Sequence, residues 1–490
     1  MKLIIYNILF IVFYILSFSP FNLFFLAPVS IYFLIKISLE NKKTVTFISI
    51  TLSQIGILYW ISYAISFYGG ISPVIASFPT IVLSMYISLY LLIFVIISKK
   101  YINNSFFPLF APSLFVILEY IKSFFMSGFP WMNLGTSTYG FPPLMESVSF
   151  GGIYFLSFFI VFIGVIPFAK NKKLWSTVGI ISTVILIIYG IIYIKFTDRK
   201  IDKISKEIKI SVVQGNIDQS IKWSPTFRKS TLDLYFNLTK KSVNQGSKIV
   251  FWPETALPFY FQSSILSKNI RKFAKDNKIY ILTGSLAFSY SDKKYLNRAY
   301  LIAPNGMTLD YYDKHQLVPF GEYLPLEKYL KFIKKIIPMV GGLSAGKKIK
   351  NITYPEGKMG VLICYETIFD NISRKMVNLG ANFLVNITND AWFGRTSGPY
   401  QHFSMIVFRA IENRRFVVRS ANTGISAIIS PTGKIIKKLP LGERGYIGGT
   451  IKLIKSKTIY TKLGNWIVLL SLFIIIIIIL KEKKLLFPKK

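Results

Sequence analysis

The feature that most constrains this chain is a series of apolar runs, seven within its first 195 residues and one more near the C-terminus. A helix crossing a bilayer needs about 20 predominantly apolar residues, because hydrocarbon offers no partner to an open backbone N–H or C=O. We expect spans near 3–18, 22–39, 45–67, 75–98, 106–125, 147–169 and 175–195, then an isolated one near 464–480. The first run has the look of a secretory leader, but no small-residue cleavage site follows and Phe21–Ile37 inserts again at once, so it reads as a retained helix. With 52% hydrophobic residues the chain is too apolar for an ordinary soluble protein, yet it carries 59 Lys and Arg against 22 Asp and Glu. It reads as a membrane protein with a substantial polar part. The net charge of +37 raises the question of nucleic acid, but zinc-ligand spacing, an RNA-binding aromatic signature and a compact basic block are all missing. Attraction to anionic lipid headgroups accounts for the charge, and no nucleic-acid partner is expected.

Lysines in the short loops give the orientation, since basic residues stay on the cytoplasmic side. Lys36, Lys42 and Lys43 follow the second run, Lys99 and Lys100 the fourth, and Lys170, Lys172 and Lys173 the sixth. The turns Ser17–Phe21, Tyr68–Pro73 and Ser127–Glu146 carry almost no basic charge. The N-terminus is therefore expected in the cytoplasm, the seventh span delivers the chain outside at about Phe196, and the tail KEKKLLFPKK lies inside again. The turn Ser127–Glu146 mixes Gly, Pro and aromatics; Trp131 and Tyr139 suit either an aromatic belt at headgroup depth or a lipid-facing site.

From Lys209 the periodicity changes. Short β-rich runs recur at Ile210–Gln214, Ile249–Trp252, Ile279–Gly284, Ala299–Ala303, Gly360–Cys364, Phe383–Ile387 and Ile425–Ile429. Helical patterns lie between several of them, at Ser224–Ser242, Ser264–Asn277, Ile368–Leu379 and Tyr400–Arg415. Alternation of this length predicts one α/β domain with a layered sheet over 196–462.

Three strand ends carry unusual chemistry. FWPETALP places Glu254 just past a strand, YYDKHQLVPFGEYLP places Lys314 and Glu322 on a loop, and MGVLICYETIFD holds Cys364, the only cysteine, at a strand-to-helix turn. One cysteine excludes an intramolecular disulfide, and with only His315 and His402 a Cys/His metal site or a Cys-His pair has little material to draw on. Alone, each residue has an ordinary reading: a solvated Glu, a solvated Lys, a buried Cys. Together they supply a nucleophile, a carboxylate to take its proton and a fixed cation for a developing oxyanion, which is what acyl transfer needs without histidine. An ammonium and turn N–H groups beside the sulfur would favour the thiolate.

In the order Glu, Lys, Cys the chain resembles the nitrilase superfamily, whose triad sits on an αββα sandwich. VVQGNIDQSIKW, WPETALP, KHQLVPFGEYLP, ICYE, NDAWFG, GPYQHF and RSANTGISAII, with GFPW in the membrane part, are similar more narrowly to the membrane-bound apolipoprotein N-acyltransferases. The expected architecture is then an α-helical membrane bundle of eight transmembrane helices plus an α/β nitrilase-like αββα sandwich. The division would be 1–195 with seven helices, 196–462 catalytic and extracytoplasmic, and 463–490 with the eighth helix and a cytoplasmic tail. The resemblance implies a bacterial inner-membrane enzyme without cofactor or metal, working as a monomer on a phospholipid acyl donor and a diacylglyceryl-modified lipoprotein acceptor. It implies Cys364 as nucleophile, Glu254 as general base and later acid, and Lys314 as oxyanion partner. It also brings Glu322 into the site to hold the lysine and the incoming amine, and Glu366, which otherwise reads as a helix cap. Tyr365 and Trp223 shape the acyl pocket or are plain core; Asn297, Asn389 and Trp392 contact substrate or build turns.

Leu324–Ser344 sets Leu330, Phe332, Ile333, Ile336 and Ile337 among lysines before two glycines, which suits a membrane-touching lid or an ordinary packed helix. Two other functions stay open. A membrane-anchored amidase would use the same triad on a soluble nitrogen compound, leaving most spans unexplained. A transporter would show ionisable residues inside several spans, yet only Glu119 and Lys122, near the end of the fifth, are found.

Overall fold

The computed structural model describes residues 2–325, 327 and 341–482. Most of the amphipathic segment expected at 324–344, and the basic tail from 483, lie outside the described residues. The chain divides into two compact units, one comprising residues up to Phe196 with those from Thr458 onward, the other Thr197–Lys457.

In the first unit each apolar run holds a helix: Lys2–Leu16, Leu26–Glu40, Lys43–Leu58 followed by Trp60–Gly69, Pro73–Tyr101, Phe107–Lys122, Val148–Phe168, Lys172–Asp202 and Trp466–Glu482. Among the described residues, Pro73–Tyr101, Val148–Phe168 and Lys172–Asp202 are long and apolar enough to cross a membrane; the pair Lys43–Leu58 and Trp60–Gly69, bent by 53°, makes a fourth if it is one broken span. Lys2–Leu16, Leu26–Glu40 and Phe107–Lys122 run 15, 15 and 16 residues. Serines buried in these helices, such as Ser30, Ser53 and Ser88, return their hydroxyls to carbonyls three or four residues back, so they enter an apolar bundle without an open donor.

The turn after Phe107–Lys122 is held inward. Trp131 is buried, its ring 4.8 Å from that of Trp60. Glu119 Oε1 accepts from Leu134 N–H at 2.6 Å and Ser157 Oγ from Gly135 N–H at 2.9 Å, tying the turn into the bundle.

The second unit is a sandwich of two sheets of six strands each among the described residues. The strands are β1 (Glu207–Gln214), β2 (Ile249–Phe251), β3 (Tyr280–Ser289), β4 (Lys294–Ile302), β5 (Thr308–Asp313), β6 (Ile352–Tyr354), β7 (Gly357–Ile363), β8 (Phe383–Thr388), β9 (Val417–Ala421), β10 (Ser426–Ile429), β11 (Ile435–Leu439) and β12 (Gly445–Lys452). One sheet runs β12-β1-β2-β3-β4-β5 and the other β11-β10-β9-β8-β7-β6. Each has a parallel centre, β1-β2-β3 and β7-β8-β9, flanked by antiparallel strands. Buried Ser420 on β9 donates toward Val213 O and Phe251 O of the opposite sheet, both at 3.1 Å, and Phe251 meets Phe383 edge-on across the interface. Helices Arg228–Val243 and Leu266–Asp276 lay Leu232, Tyr235, Ile270 and Ala274 against Val250 and Trp252 of the first sheet. Asp370–Asn378 and Gly398–Asn413 serve the second sheet, giving αββα layering. All seven strands anticipated from sequence are present. Five others, β5, β6, β9, β11 and β12, were not anticipated.

Candidate active site

The parallel centres decide where chemistry collects, because loops leaving the carboxyl ends of parallel strands converge in a crevice there. β2 ends at Phe251, and Pro253, which cannot donate to a ladder, turns the chain out so that Glu254 follows in a buried position. Gly284 on β3 permits this path: a Cβ there would lie 2.5 Å from Thr255 N and 2.7 Å from Glu254 Cα. β5 delivers Lys314, 1% exposed, whose own N–H bonds Asn297 O of β4 at 2.9 Å. β7 is buried on both faces along Met359–Ile363 and ends at Cys364, which takes φ +50° and opens the 3-10 turn Cys364–Ile368 in place of the regular helix start expected there. That left-handed conformation is unusual for a residue with a Cβ and marks the sharp turn that lifts the thiol off the strand.

Lys314, Glu254, Glu322 and Asn297 form one hydrogen-bonded cluster. Lys314 Nζ lies 2.8 Å from Glu322 Oε1 and 3.5 Å from Glu254 Oε1. Asn297 Nδ2 donates to Glu254 Oε1 at 2.7 Å and reaches Glu322 Oε1 at 3.4 Å. Asn389, just past β8, donates its backbone N–H to Glu254 Oε2 at 3.0 Å, while Val318 N–H holds Glu322 Oε2 at 2.8 Å. Burial opposes the Lys314 charge, but Glu322 and Glu254 more than offset it and hold the ammonium above the usual lysine range.

Cys364 lies within the field of this cluster. Burial pushes its thiol up, the Glu254 carboxylate adds to the rise, and Lys314 opposes it without reversing it. Burial and the Glu254 carboxylate thus act against the thiolate that the turn N–H groups and the ammonium were expected to favour. Glu366 is fully buried and acts as a buckle. Its Oε1 accepts from His315 N–H at 2.7 Å, Tyr312 O–H at 2.8 Å and Gln316 N–H at 3.2 Å, and its Oε2 from Ile363 N–H at 2.7 Å. One carboxylate thus joins the nucleophile turn to the loop bearing Lys314. Burial pushes its pKa up, and the hydrogen bonds pull against that rise.

The remaining expected residues spread more widely. Tyr365 is buried with its ring edge-on to Phe369 at 5.2 Å. The Asn389 side chain bonds Gln219 and Asn422 rather than the cluster, and Trp392 is half-buried in the turn Asp390–Phe393. Trp223, 40% exposed, lines a separate cavity.

Sequence reasoning missed a polar chain behind the nucleophile. Arg419 donates to Asp390 Oδ2 at 2.5 Å; Asp390 Oδ1 lies 2.9 Å from His402 Nδ1; His402 Nε2 is 2.7 Å from Thr367 Oγ1 and 3.2 Å from Cys364 O. Burial pushes Asp390 up, but Arg419 and His402 outweigh it and hold the carboxyl well below its ordinary range. The histidine braces the backbone of the strained turn and faces away from a Cys-His pairing with the thiol. Its signal lay in NDAWFG, GPYQHF and RSANTG, which hold Asp390, His402 and Arg419 in turn.

Comparison with known proteins fits this geometry. Residues 209–458 match the carbon-nitrogen hydrolase family, and residues 12–166 match the apolipoprotein N-acyltransferase N-terminal domain. The apolipoprotein N-acyltransferase of Geobacter metallireducens is 36% identical over 431 residues, 86% of this chain and 82% of that protein. That of Wigglesworthia glossinidia brevipalpis is 33% identical over 83% and 82%. Among solved structures, Saccharomyces cerevisiae Nit3 of the nitrilase superfamily aligns with 51% of this chain and 91% of its own, at a TM-score of 0.41 and 18% identity. With a carbon-nitrogen hydrolase sandwich, membrane-length helices and full-length relatives of this kind, the chain belongs to the apolipoprotein N-acyltransferase family.

Proposed function

We propose that the protein moves an acyl chain from phospholipid to the α-amine of the diacylglyceryl-cysteine at a lipoprotein N-terminus, through a thioester on Cys364. The observation that carries this reading is the buried Glu254–Lys314 pair, joined through Glu366 to the strained turn that bears the only cysteine. Glu254 takes the proton from Sγ as the sulfur attacks an ester carbonyl of the donor. The Lys314 ammonium, fixed by Glu322, faces the charge that develops on the carbonyl oxygen. Collapse breaks the ester bond, and the leaving lysophospholipid oxygen takes the proton from Glu254. The acceptor amine then attacks the thioester, Glu254 takes its proton, and the amide forms as the sulfur leaves and is reprotonated. Splitting one difficult amide formation into two acyl transfers is the advantage of the covalent route.

Both substrates are lipids, which suits a catalytic unit coupled to membrane helices: a thioester reached from the bilayer is kept from water. The eight helices described above would then all cross, with the Thr197–Lys457 unit extracytoplasmic and both termini inside; the short-loop lysines support that orientation. The test uses purified full-length protein with phospholipid and a diacylglyceryl-cysteine peptide. Cys364→Ser, Glu254→Gln and Lys314→Ala should each nearly abolish peptide N-acylation, and normal N-acylation by Cys364→Ala would refute the reading.

A further inference from the structure

The Thr197–Lys457 unit contains a cavity of about 400 Å³ whose lining includes Trp223, Arg228, Phe259, Tyr260, Ser264 and Leu286. That volume falls in the range of small-molecule sites. Two links, one along the chain and one through a hydrogen bond, set it beside the catalytic cluster. The loop carrying Phe259, Tyr260 and Ser264 leaves directly from Glu254, and Trp223 follows Lys222, whose buried ammonium donates to Thr255 Oγ1 at 2.8 Å.

Arg228 is the anomaly. Buried arginines elsewhere in the unit each hold at least one partner: Arg298 with Asp313, Arg409 with Glu412, Arg419 with Asp390, and Arg415 with backbone carbonyls. Arg228 is half-buried, its Nε has no hydrogen-bond partner, and among the described residues no carboxylate pairs with its guanidinium. An unanswered buried donor in a native site asks for a ligand that answers it. The walls narrow the choice, for Trp223 and Tyr260 leave aromatic faces 40% and 38% exposed, with Phe259 and Leu286 beside them. An anion carried on an apolar body fits such a lining. Arg228 also opens the 16-residue helix Arg228–Val243, whose N-terminal dipole favours negative charge. The planar guanidinium fork matches phosphate oxygens in pairs.

We propose that this cavity binds the phosphodiester of the donor phospholipid, with Arg228 as the residue that distinguishes a phosphate-bearing donor from a neutral one; this rests on the phospholipid-donor reading. In a glycerophospholipid the phosphate and the ester carbonyls hang from one glycerol, so holding the first positions the second against Cys364. The shared chemistry of a lipid phosphodiester and free phosphate is separated by the test. Full-length wild type, Arg228→Gln and Arg228→Lys are given a diacyl phospholipid or the matching diacylglycerol, and thioester on Cys364 is followed by intact mass. Arg228→Gln should raise the KM for phospholipid relative to that for diacylglycerol about 10-fold, the factor expected on losing one charge-assisted hydrogen bond. Arg228→Lys should fall between. An unchanged ratio would overturn the proposal, as would inorganic phosphate competing mole for mole as well as phospholipid, which assigns the site to the free anion. If wild type forms no thioester from either donor, the transfer reading fails by itself. Retention of phospholipid over diacylglycerol by delipidated protein, lost in Arg228→Gln, still decides the site.

Discussion

At the scale of single residues, burial and the Glu254 carboxylate hold the Cys364 proton more firmly than the Lys314 charge loosens it. Burial and the Glu254 carboxylate raise the Cys364 pKa above its ordinary 9.0, and Lys314 only moderates the rise. A raised thiol pKa means the proton stays on through neutral pH and leaves only in alkali, so alkylation of the folded protein at about pH 8 should be slower than that of an unfolded control. Glu254→Gln removes the second contribution to that rise. It should therefore alkylate Cys364 faster than wild type at about pH 8 while losing acyl transfer, and a slower reaction would show that Glu254 activates the resting thiol instead. The Lys314 shift has the sign of a stabilising pair: its contribution is fully present below the ordinary lysine value of 10.5 and fades as pH climbs through the higher folded value. Lys314→Met leaves the buried Glu254 and half-buried Glu322 carboxylates without their cation, so denaturant unfolding near neutral pH should show a loss of about 3 kcal/mol.

At the scale of elements, precision comes from close approaches that no local pattern announces. Gly284→Ala puts a methyl 2.5 Å from Thr255 N, and the backbone carrying Glu254 must retreat. A displacement of this kind costs on the order of 100-fold in rate, so kcat for transfer should fall far more than the melting temperature of the variant. This is also where the reach of sequence ends. β7 and its turn were readable because a continuous apolar run stops at a lone cysteine, and Glu254 because proline interrupts a strand. β9 was missed because Arg419 stands in the middle of VVRSA, and only the tertiary pairing with Asp390 lets a charge sit in a fully buried strand. β12 carries three glycines and β11 two lysines at a sheet edge, patterns that read as loop until a neighbouring strand supplies their hydrogen bonds. The burial of Trp131 was not legible for the same reason: its turn is tied in by the bond between Glu119 and Leu134, 15 residues apart.

At the scale of the whole molecule, an apolar helical unit and an αββα hydrolase unit share one chain, and the second is inserted ahead of the last helix of the first. The proposed topology makes a separable prediction. Single cysteines placed in a Cys364→Ala background at loop lysines such as Lys42 or Lys100 should resist a membrane-impermeant thiol reagent in intact cells, while one at exposed Lys294 should react. The reverse pattern would invert the orientation. The central claim is covalent, however, and one mass decides it. Purified full-length protein incubated with a phospholipid of a single defined acyl chain, without acceptor, should gain the mass of one acyl group on the peptide containing Cys364, discharged on adding a diacylglyceryl-cysteine peptide. No gain from phospholipid alongside a stable adduct from a small soluble amide, or an acyl gain that persists in Cys364→Ala, would contradict it.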